Sequence, residues 1–289
     1  MCNTCGCGSE ASLVAAMDCA PPIEQGQALD STANHDHRHD GHGVSRFLRV
    51  ERDILARNDH YAADNRRYFA QHGIFVLNLL SSPGSGKTTL LCRTLAQLPK
   101  ELPVTVIEGD QRTTLDAERI RATGAAAVQI NTGKGCHLDA HQVRHAIGDL
   151  TPADDSLLLI ENVGNLVCPA AFDLGEAHKV VILSVVEGED KPLKYPHIFH
   201  AASLLLLNKI DLLPYVTFDC QQAIANARRV NPQLEVIEVS ASSGAGFADW
   251  LAWLQAGCAA QRQSKPTSGT VAERRVARVE GRFSAISRG

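Results

Sequence analysis

Seven short apolar runs alternate with amphipathic stretches through the middle of the chain. The runs are IFVLNLL, VTVIEG, AAVQIN, SLLLIENV, KVVILSVV, SLLLLNKI and EVIEVSA. They are almost continuously apolar, whereas a strand with one face in water alternates apolar and polar residues. Such strands are buried on both faces, so crossover helices must cover a mostly parallel sheet. The pattern predicts an α/β fold with a mostly parallel, doubly wound sheet.

The sequence on either side of these runs differs in composition. Residues 1–45 are small, polar and rich in Gly, Ser, Asp and His, which predicts a disordered arm. A helical periodicity from about residue 44 to residue 70 leads into the first strand. Residues 261–289 are rich in Ser and Arg without a sustained apolar face, which predicts a disordered basic tail. We therefore expect an arm (1–45), an α/β domain with its leading helix (46–260) and a tail (261–289).

Composition and charge argue against several classes of function. A chain of 289 residues with 44% hydrophobic residues is long enough for one large α/β core. A net charge of -4 provides no general attraction to nucleic acid or to an anionic membrane. No run approaches the roughly 18 apolar residues of a membrane span, and the N-terminus lacks the basic start of a secretory signal. We therefore expect a cytoplasmic protein, in which clustered cysteines indicate metal or redox chemistry.

A phosphate-binding loop follows the first predicted strand. The segment SSPGSGKTTLL has the required order of strand, glycine-rich turn and helix, although Ser81 stands where the strict pattern has Gly. In such a loop the backbone amides face the phosphates, the lysine contacts the β- and γ-phosphates, and the next hydroxyl binds Mg²⁺. An ordinary glycine turn is the alternative, which this placement disfavours. The predicted nucleotide contacts are Gly84, Ser85, Gly86, Lys87, Thr88 and Thr89, with catalytic roles for Lys87 and Thr88.

A second motif indicates which base is bound. Asn208, Lys209 and Asp211 match the N-K-x-D pattern of GTPases at the end of a later strand. An aspartate there accepts hydrogen bonds from the ring N–H and the amino group of guanine, a donor pair that adenine lacks. Ser240 and Ala241 resemble the second guanine-contacting loop. The match alone would also suit a strand-end turn, but its place downstream of the phosphate loop predicts GTP rather than ATP.

Two carboxylates at strand ends are candidates for the Mg²⁺ site. Asp110 follows VTVIEG, and Glu161 lies in LLLIENVG. The ENVG stretch resembles the D-x-x-G motif of other GTPases with Glu in place of Asp, so the amide of Gly164 is expected to meet the γ-phosphate. No glutamine stands at an obvious water-positioning place, which predicts slow intrinsic hydrolysis.

Soft metal ligands occur close to these switch residues. Cys136 and His137 are adjacent in TGKGCHLDAH, and Cys168 follows Gly164 by four residues. Thiolate and imidazole suit Zn²⁺ and Ni²⁺. Single cysteines are more often small buried apolar residues, but both segments end predicted strands, where α/β proteins build sites. A metal there would respond to movement of Gly164. Without a fourth protein ligand, the site is open or shared across a dimer.

The order of six motifs resembles one family closely. SSPGSGKTTLL, EGDQ, NTGKGCHLDA, ENVGNLVCP, EGEDKPLKYP and NKIDLLP are similar to the hydrogenase nickel-incorporation GTPases, called HypB, over about residues 74–258. EGEDKPLKYP is the most specific, because no generic motif explains it. The resemblance implies a GTPase that dimerises on binding nucleotide, with Cys136, His137 and Cys168 as metal ligands. It also implies a hydrogenase large-subunit precursor and a nickel accessory protein as partners.

The resemblance further implies an N-terminal nickel site, which this chain retains as Cys2, Cys5 and Cys7. Three thiolates leave one position open in a four-coordinate ion, and we hypothesise that the N-terminal amine completes a square-planar Ni²⁺ site. A redox-active or idle C-x-x-C is the alternative. The nearby histidines suit a weak metal reservoir, a relay, or a solvated linker. They are His35, His37, His39 and His42.

Two other functions stay open at this point. A urease-maturation GTPase also delivers nickel, although EGEDKPLKYP and C-x-x-C-G-C argue against it. A nickel or zinc storage protein whose G-domain only gates dimerisation is a non-enzymatic alternative. The favoured prediction is a GTP-hydrolysing metallochaperone that uses GTP and Mg²⁺ and delivers Ni²⁺ to a hydrogenase precursor.

Overall fold

The computed structural model describes the backbone of residues 41–110 and 114–266, and the side chains of those residues from position 49 onward. The predicted metal ligands of the arm therefore lie outside the described residues, as do the arm's histidine side chains and most of the basic tail. The helices are α1 Gly41–His72, α2 Lys87–Gln97, α3 Leu115–Arg121, α4 Ala140–Leu150, α5 Lys191–Lys194, α6 Pro196–Ala201, α7 Cys220–Val230 and α8 Phe247–Gln263. The strands are β1 Phe75–Ser81, β2 Val104–Asp110, β3 Ala126–Asn131, β4 Leu157–Glu161, β5 His178–Ser184, β6 Leu204–Asn208 and β7 Glu235–Glu238.

The seven strands form one sheet in the order β3-β2-β4-β1-β5-β6-β7, and every pairing is parallel. The chain builds β2 to β4 on one side of β1 and β5 to β7 on the other, so the strand order reverses at β1. Ligands of doubly wound sheets bind at the carboxyl ends of the strands beside such a reversal. In register, Leu79 of β1 pairs with Glu161, and Ser184 of β5 pairs with Asn208, so the candidate residues share this edge.

Helices cover both faces of the sheet, as the continuous apolar runs predict. On one face, Leu90 of α2 and Trp250 of α8 pack against Leu77 and Leu79. On the other face, two clusters join the sheet to α1, α4, α6 and α7, and Val76 and Leu80 contribute to them. Every residue of β1, β4 and β6 is buried. The predicted fold class is confirmed, and the sheet is parallel throughout rather than mostly so.

Several strands are shorter than the apolar runs that predicted them. The run SLLLIENV continues to residue 163, but β4 ends at Glu161. The side chain of Asn162 explains the break, because its Oδ1 accepts the backbone N–H groups of Leu138 and Val163 at 3.1 and 2.9 Å. The last residues of these apolar runs therefore belong to loops at the carboxyl edge of the sheet.

The leading helix is longer than predicted and packs on α4. Two buried asparagines make the connection to Ala140, the first residue of α4: Asn58 Oδ1 accepts its backbone N–H at 2.9 Å, and Asn65 Nδ2 donates to its carbonyl at 2.8 Å. Phe69 joins the core beneath α4. The helix is therefore part of the domain. In the described part of the chain, no helix is long and apolar enough to cross a membrane.

Candidate nucleotide and metal site

The phosphate loop lies between the end of β1 and the start of α2. Gly86 has φ +97°, and a Cβ atom there would lie 2.8 Å from Nδ2 of Asn208, so both the backbone angle and the close approach require glycine. Lys87 is buried, and its Nζ donates to the Oγ of Ser81 at 2.8 Å. Ser81, the departure from the strict pattern, therefore holds the lysine at the strand end.

The charge of this buried lysine is supported by nearby carboxylates. Burial lowers the pKa of Lys87, and the charge of Glu161 opposes that shift. The hydroxyl of Ser85 is buried and has no hydrogen-bond partner among the described residues. Buried polar atoms normally have partners, so the loop fits an anionic, oxygen-rich ligand such as a polyphosphate.

Thr88 and Glu161 form the centre of the candidate Mg²⁺ site. The Thr88 hydroxyl donates to Glu161 Oε1 at 2.7 Å, while the buried Oε2 lacks a hydrogen-bond partner in the described part of the chain. Burial raises the pKa of Glu161 to about 7, although Lys87 opposes the shift. Hydroxyl and carboxylate oxygens are the ligands that Mg²⁺ prefers. Asp110 ends β2 at the same edge, and its carbonyl accepts the N–H of Thr132 at 3.0 Å.

The sequence prediction missed a second buried carboxylate. Glu108 is 2% exposed and pairs in register with Glu161 on the neighbouring strand. Burial and the charge of Glu161 raise the pKa of Glu108 to about 8. Its Oε2 makes no hydrogen bond to any described residue. The one available signal was a carboxylate inside the otherwise apolar run VTVIEG.

The segment EGEDKPLKYP folds back onto the phosphate loop. Lys191 Nζ donates to the Oγ of Ser82 at 3.3 Å and lies 3.4 Å from Oε2 of Glu187. Oε1 of Glu187 accepts the N–H of Ser184, at the end of β5, at 3.0 Å. A second cation thus reaches the phosphate loop, and this gives the segment a physical role that its sequence did not suggest.

The predicted guanine-binding residues lie together beside the phosphate loop. Asn208 Nδ2 donates to the Ser85 carbonyl at 2.9 Å, and its Oδ1 accepts the N–H of Ala241 at 3.2 Å. Asp211 Oδ1 accepts the hydroxyl of Ser240 at 2.5 Å, which orients the carboxylate. Asn208 therefore connects two loops, while Asp211 remains the candidate for reading the base.

Two other predicted nucleotide contacts have different surroundings. Lys209 has φ +64°, and its Nζ donates to the Gly84 carbonyl at 2.7 Å, so it braces the phosphate loop. Thr89 is exposed on α2, where its hydroxyl accepts from Arg119 of α3 at 3.1 Å. Their direct contact with nucleotide stays a prediction.

The switch loop after β4 touches the phosphate loop at Gly164. A Cβ atom on Gly164 would lie 3.1 Å from the Cα of Pro83 and 3.2 Å from its backbone nitrogen. Only glycine allows this approach without displacing backbone. The loop 162–168 is therefore packed against the place where phosphates would bind.

The three soft ligands of the domain form a cluster. Ligand atoms of Cys136, His137 and Cys168 all lie within 4.8 Å of one another, and this is the one group of three or more His, Cys, Asp or Glu ligands found among the described residues. Cys136 Sγ lies 3.5 Å from His137 Nδ1. The His137 ring packs on that of Phe172 at a tilt of 38°, with 3.8 Å between the ring centroids. The predicted metal site of the domain is thus assembled from two loops.

The electrostatics of the cluster suit a cation. Burial and the neighbouring Cys168 raise the pKa of the Cys136 thiol to about 11, because two thiolates repel each other. Burial lowers the pKa of His137, which favours the neutral imidazole that binds metals. A bound cation stabilises thiolates and relieves the repulsion. Sulfur and imidazole donors fit a borderline metal such as Ni²⁺ or Zn²⁺.

One side chain connects the loop 162–168 to the cluster of candidate metal ligands. Asn165 Nδ2 donates to the Cys136 carbonyl at 3.3 Å, and Asn165 follows Gly164 directly. Cys168 begins a short 3-10 turn at the end of the same loop. The loop therefore contacts the phosphate loop at one end and carries Cys168, a candidate metal ligand, at the other.

Three kinds of comparison with known proteins point to the same family. The family description "CobW/HypB/UreG, nucleotide-binding domain" matches residues 75–238. Hydrogenase maturation factor HypB of Azotobacter vinelandii is 62% identical over 239 residues, covering 82% of this chain and 79% of that protein. The crystal structure of HypB from Archaeoglobus fulgidus has a TM-score of 0.66 at 40% identity, over 70% of this chain and 99% of that one. HypB from Helicobacter pylori in complex with nickel has a TM-score of 0.66 at 36% identity, over 74% and 99%.

Proposed function

This chain belongs to the HypB family of hydrogenase maturation factors, and we propose that it is a GTP-hydrolysing nickel metallochaperone for NiFe hydrogenase. The observation that carries the proposal is the loop 162–168, which touches the phosphate loop through Gly164 and supplies Cys168 to the metal cluster. A change at the γ-phosphate then reaches the metal through a few residues of one loop.

In the proposed reaction, GTP binds with its phosphates against the amides of the phosphate loop. Lys87 exchanges its hydrogen bond with Ser81 for a phosphate oxygen, and Asp211 accepts the guanine N–H groups. Thr88 and Glu161, with Asp110, would hold Mg²⁺, which would supply positive charge to neutralise the phosphates. The amide of Gly164 donates to the γ-phosphate. Loss of that phosphate on hydrolysis to GDP removes the contact and frees the loop.

The cargo is Ni²⁺ held by Cys136, His137 and Cys168. The nickel complex of the Helicobacter pylori relative supports this metal, while Zn²⁺ suits the same ligands and is the expected competitor. Two thiolates and one imidazole leave a coordination position that a second copy of the chain can supply. A GTP-dependent homodimer is therefore part of the proposal, since dimerisation would complete or release the site with the nucleotide state.

The remaining parts of the proposal rest on the family and the sequence. The partners are a hydrogenase large-subunit precursor and a nickel accessory protein, and the location is the cytoplasm. The arm collects nickel through Cys2, Cys5 and Cys7, and it precedes the GTPase domain at residues 46–260.

The test measures Ni²⁺ and Zn²⁺ affinity by chelator competition, with GDP and then with a non-hydrolysable GTP analogue. Full-length protein carrying alanine at Cys2, Cys5 and Cys7 removes the arm's thiols. We expect the nucleotide to change the Ni²⁺ affinity, and Cys168→Ala to abolish that change. Cys220→Ala is the matched control, because Cys220 is half-buried on α7 and lies outside the cluster. Affinity that is indifferent to nucleotide in the parent would contradict the proposal and favour the storage alternative.

A further inference from the structure

Helix α4 carries two histidines that the nucleotide and cluster sites do not use. His141 and His145 are four residues apart, and their Nε2 atoms lie 3.1 Å from each other. Side chains with this spacing lie on one face of a helix, one turn apart. The two rings are perpendicular, with centroids 4.5 Å apart.

The distance between these nitrogen atoms suits a shared metal ion. Two imidazole nitrogens bound to one ion at about 2.0–2.1 Å lie about 2.9 Å apart at a right angle and about 3.3 Å apart at the tetrahedral angle. The observed 3.1 Å falls between these values. Little movement of either ring is therefore needed to bring both nitrogens to one cation.

The helix beneath the pair is held firmly in place. A capping box at Asp139 and Gln142 begins α4, and Val143 and Ile147 are buried against the sheet. The His141 ring packs on Tyr61 of α1 with centroids 4.7 Å apart. His141 is half-buried while His145 is exposed, so one imidazole is fixed and the other has room to admit a cation with its water ligands.

We propose that His141 and His145 form a second metal site for a borderline divalent cation, of the Ni²⁺ or Zn²⁺ class, on the surface of α4. The pair is separate from the three-ligand cluster of Cys136, His137 and Cys168. Two protein ligands leave the other coordination positions to water, so this site binds more weakly and exchanges its ion faster than the cluster.

A hydrogen bond between two neutral imidazoles would give the same distance without any metal. The test follows histidine ring signals by NMR in full-length protein labelled at histidine, because each ring then reports its own site. Zn²⁺ and then Ni²⁺ are added beyond saturation of the thiolate sites. We expect the His141 and His145 signals to shift together with Zn²⁺ and to broaden together with Ni²⁺.

Substitutions distinguish a shared ion from two independent rings. In the His141→Gln variant, the His145 signal should no longer shift or broaden at the metal concentration that affects it in the parent. In the His145→Gln variant, the His141 signal should likewise stop responding to metal. His72→Gln is the matched control, since His72 at the end of α1 lies 2.7 Å from a carboxylate oxygen of Asp154 and is not paired with another histidine among the residues described. The proposal is overturned if either ring keeps its midpoint when the other is replaced, or if neither ring responds. The measurement involves no nucleotide or hydrogenase, so its outcome is independent of the proposed function.

Discussion

Substitution of Glu161 by glutamine separates the cost of burying this carboxylate from its use as a metal ligand. Burial raises the pKa of Glu161 from 4.5 to about 7 in the folded protein. Between these two pH values the folded state holds more protons than the unfolded state, so the stability of the parent falls as pH rises through this window. Glutamine has no proton to lose, so the Glu161→Gln variant lacks that decline.

The size of the effect follows from the shift in pKa. Each pKa unit corresponds to about 1.4 kcal/mol, so the shift from 4.5 to about 7 costs the parent about 3 kcal/mol above pH 7. At pH 5 the Glu161 carboxyl group is mostly protonated in the folded state, so burying it lowers the free energy of unfolding by only about 1 kcal/mol. In the absence of nucleotide and metal, we therefore expect Glu161→Gln to be more stable than the parent, and clearly more so at pH 8 than at pH 5.

The assay is denaturant unfolding of the metal-free, nucleotide-free protein at several pH values between 5 and 8. Glu101→Gln is the control, because Glu101 is exposed in the turn before β2. A GTP analogue with Mg²⁺ should raise the melting temperature of the parent, and Glu161→Gln should lose most of that gain. The reasoning is refuted if the variant has no advantage at pH 8, or if its advantage is the same at pH 5.

Three further substitutions test the contacts around the site. Asn165→Ala removes the hydrogen bond to the Cys136 carbonyl. Chelator competition should then show that Ni²⁺ affinity is retained but depends less on the bound nucleotide. An unchanged dependence would mean that Asn165 does not couple the two sites. Ser81→Gly restores the strict loop pattern but deletes the buried hydrogen bond from the Lys87 ammonium. Denaturant unfolding should therefore show a loss of about 2 kcal/mol, because the bond involves a charged group, while GTP affinity is kept. A lost affinity would contradict this role. Lys191→Ala removes a cation from the phosphate loop. Fluorescent-nucleotide titration should therefore show weaker GTP binding, while Ni²⁺ affinity stays as in the parent. Lys194→Ala is the control, because Lys194 is an exposed neighbour that pairs with Asp190.

Much of the candidate site could be predicted because its residues are contiguous in sequence. The phosphate loop and the N-K-x-D element each carry their own contacts within a few residues, so local pattern was sufficient to find Lys87, Thr88 and Asp211. The pairing of Cys136 with Cys168 was predicted from chemistry and from their shared position after strands. The structure brings the two thiols together, although their role as ligands stays a prediction.

Other contacts could not be predicted, because they join residues far apart in the chain. The hydrogen bond from Lys191 to Ser82 spans 109 positions, and only the parallel packing of β1 beside β5 brings the two together. Glu108 looked like an interruption of an apolar strand until its register placed it opposite Glu161. The spacing of His141 and His145 places them on one face of a helix, but the 3.1 Å distance between their Nε2 atoms depends on side-chain conformations that only the structure shows.

The sequence by itself determined the fold class and the phosphate loop. Continuous apolar runs show that the strands are buried on both faces, and the glycines of the loop mark the tight turn within a few consecutive residues. Only the tertiary structure decided which buried polar atoms lack hydrogen-bond partners, and which loop contacts both the phosphate loop and the cluster of candidate metal ligands. The physical reason is that hydrogen bonding and desolvation depend on every neighbouring atom. The surroundings of Glu161 and the contact between Gly164 and Pro83 exist only once the strands have paired.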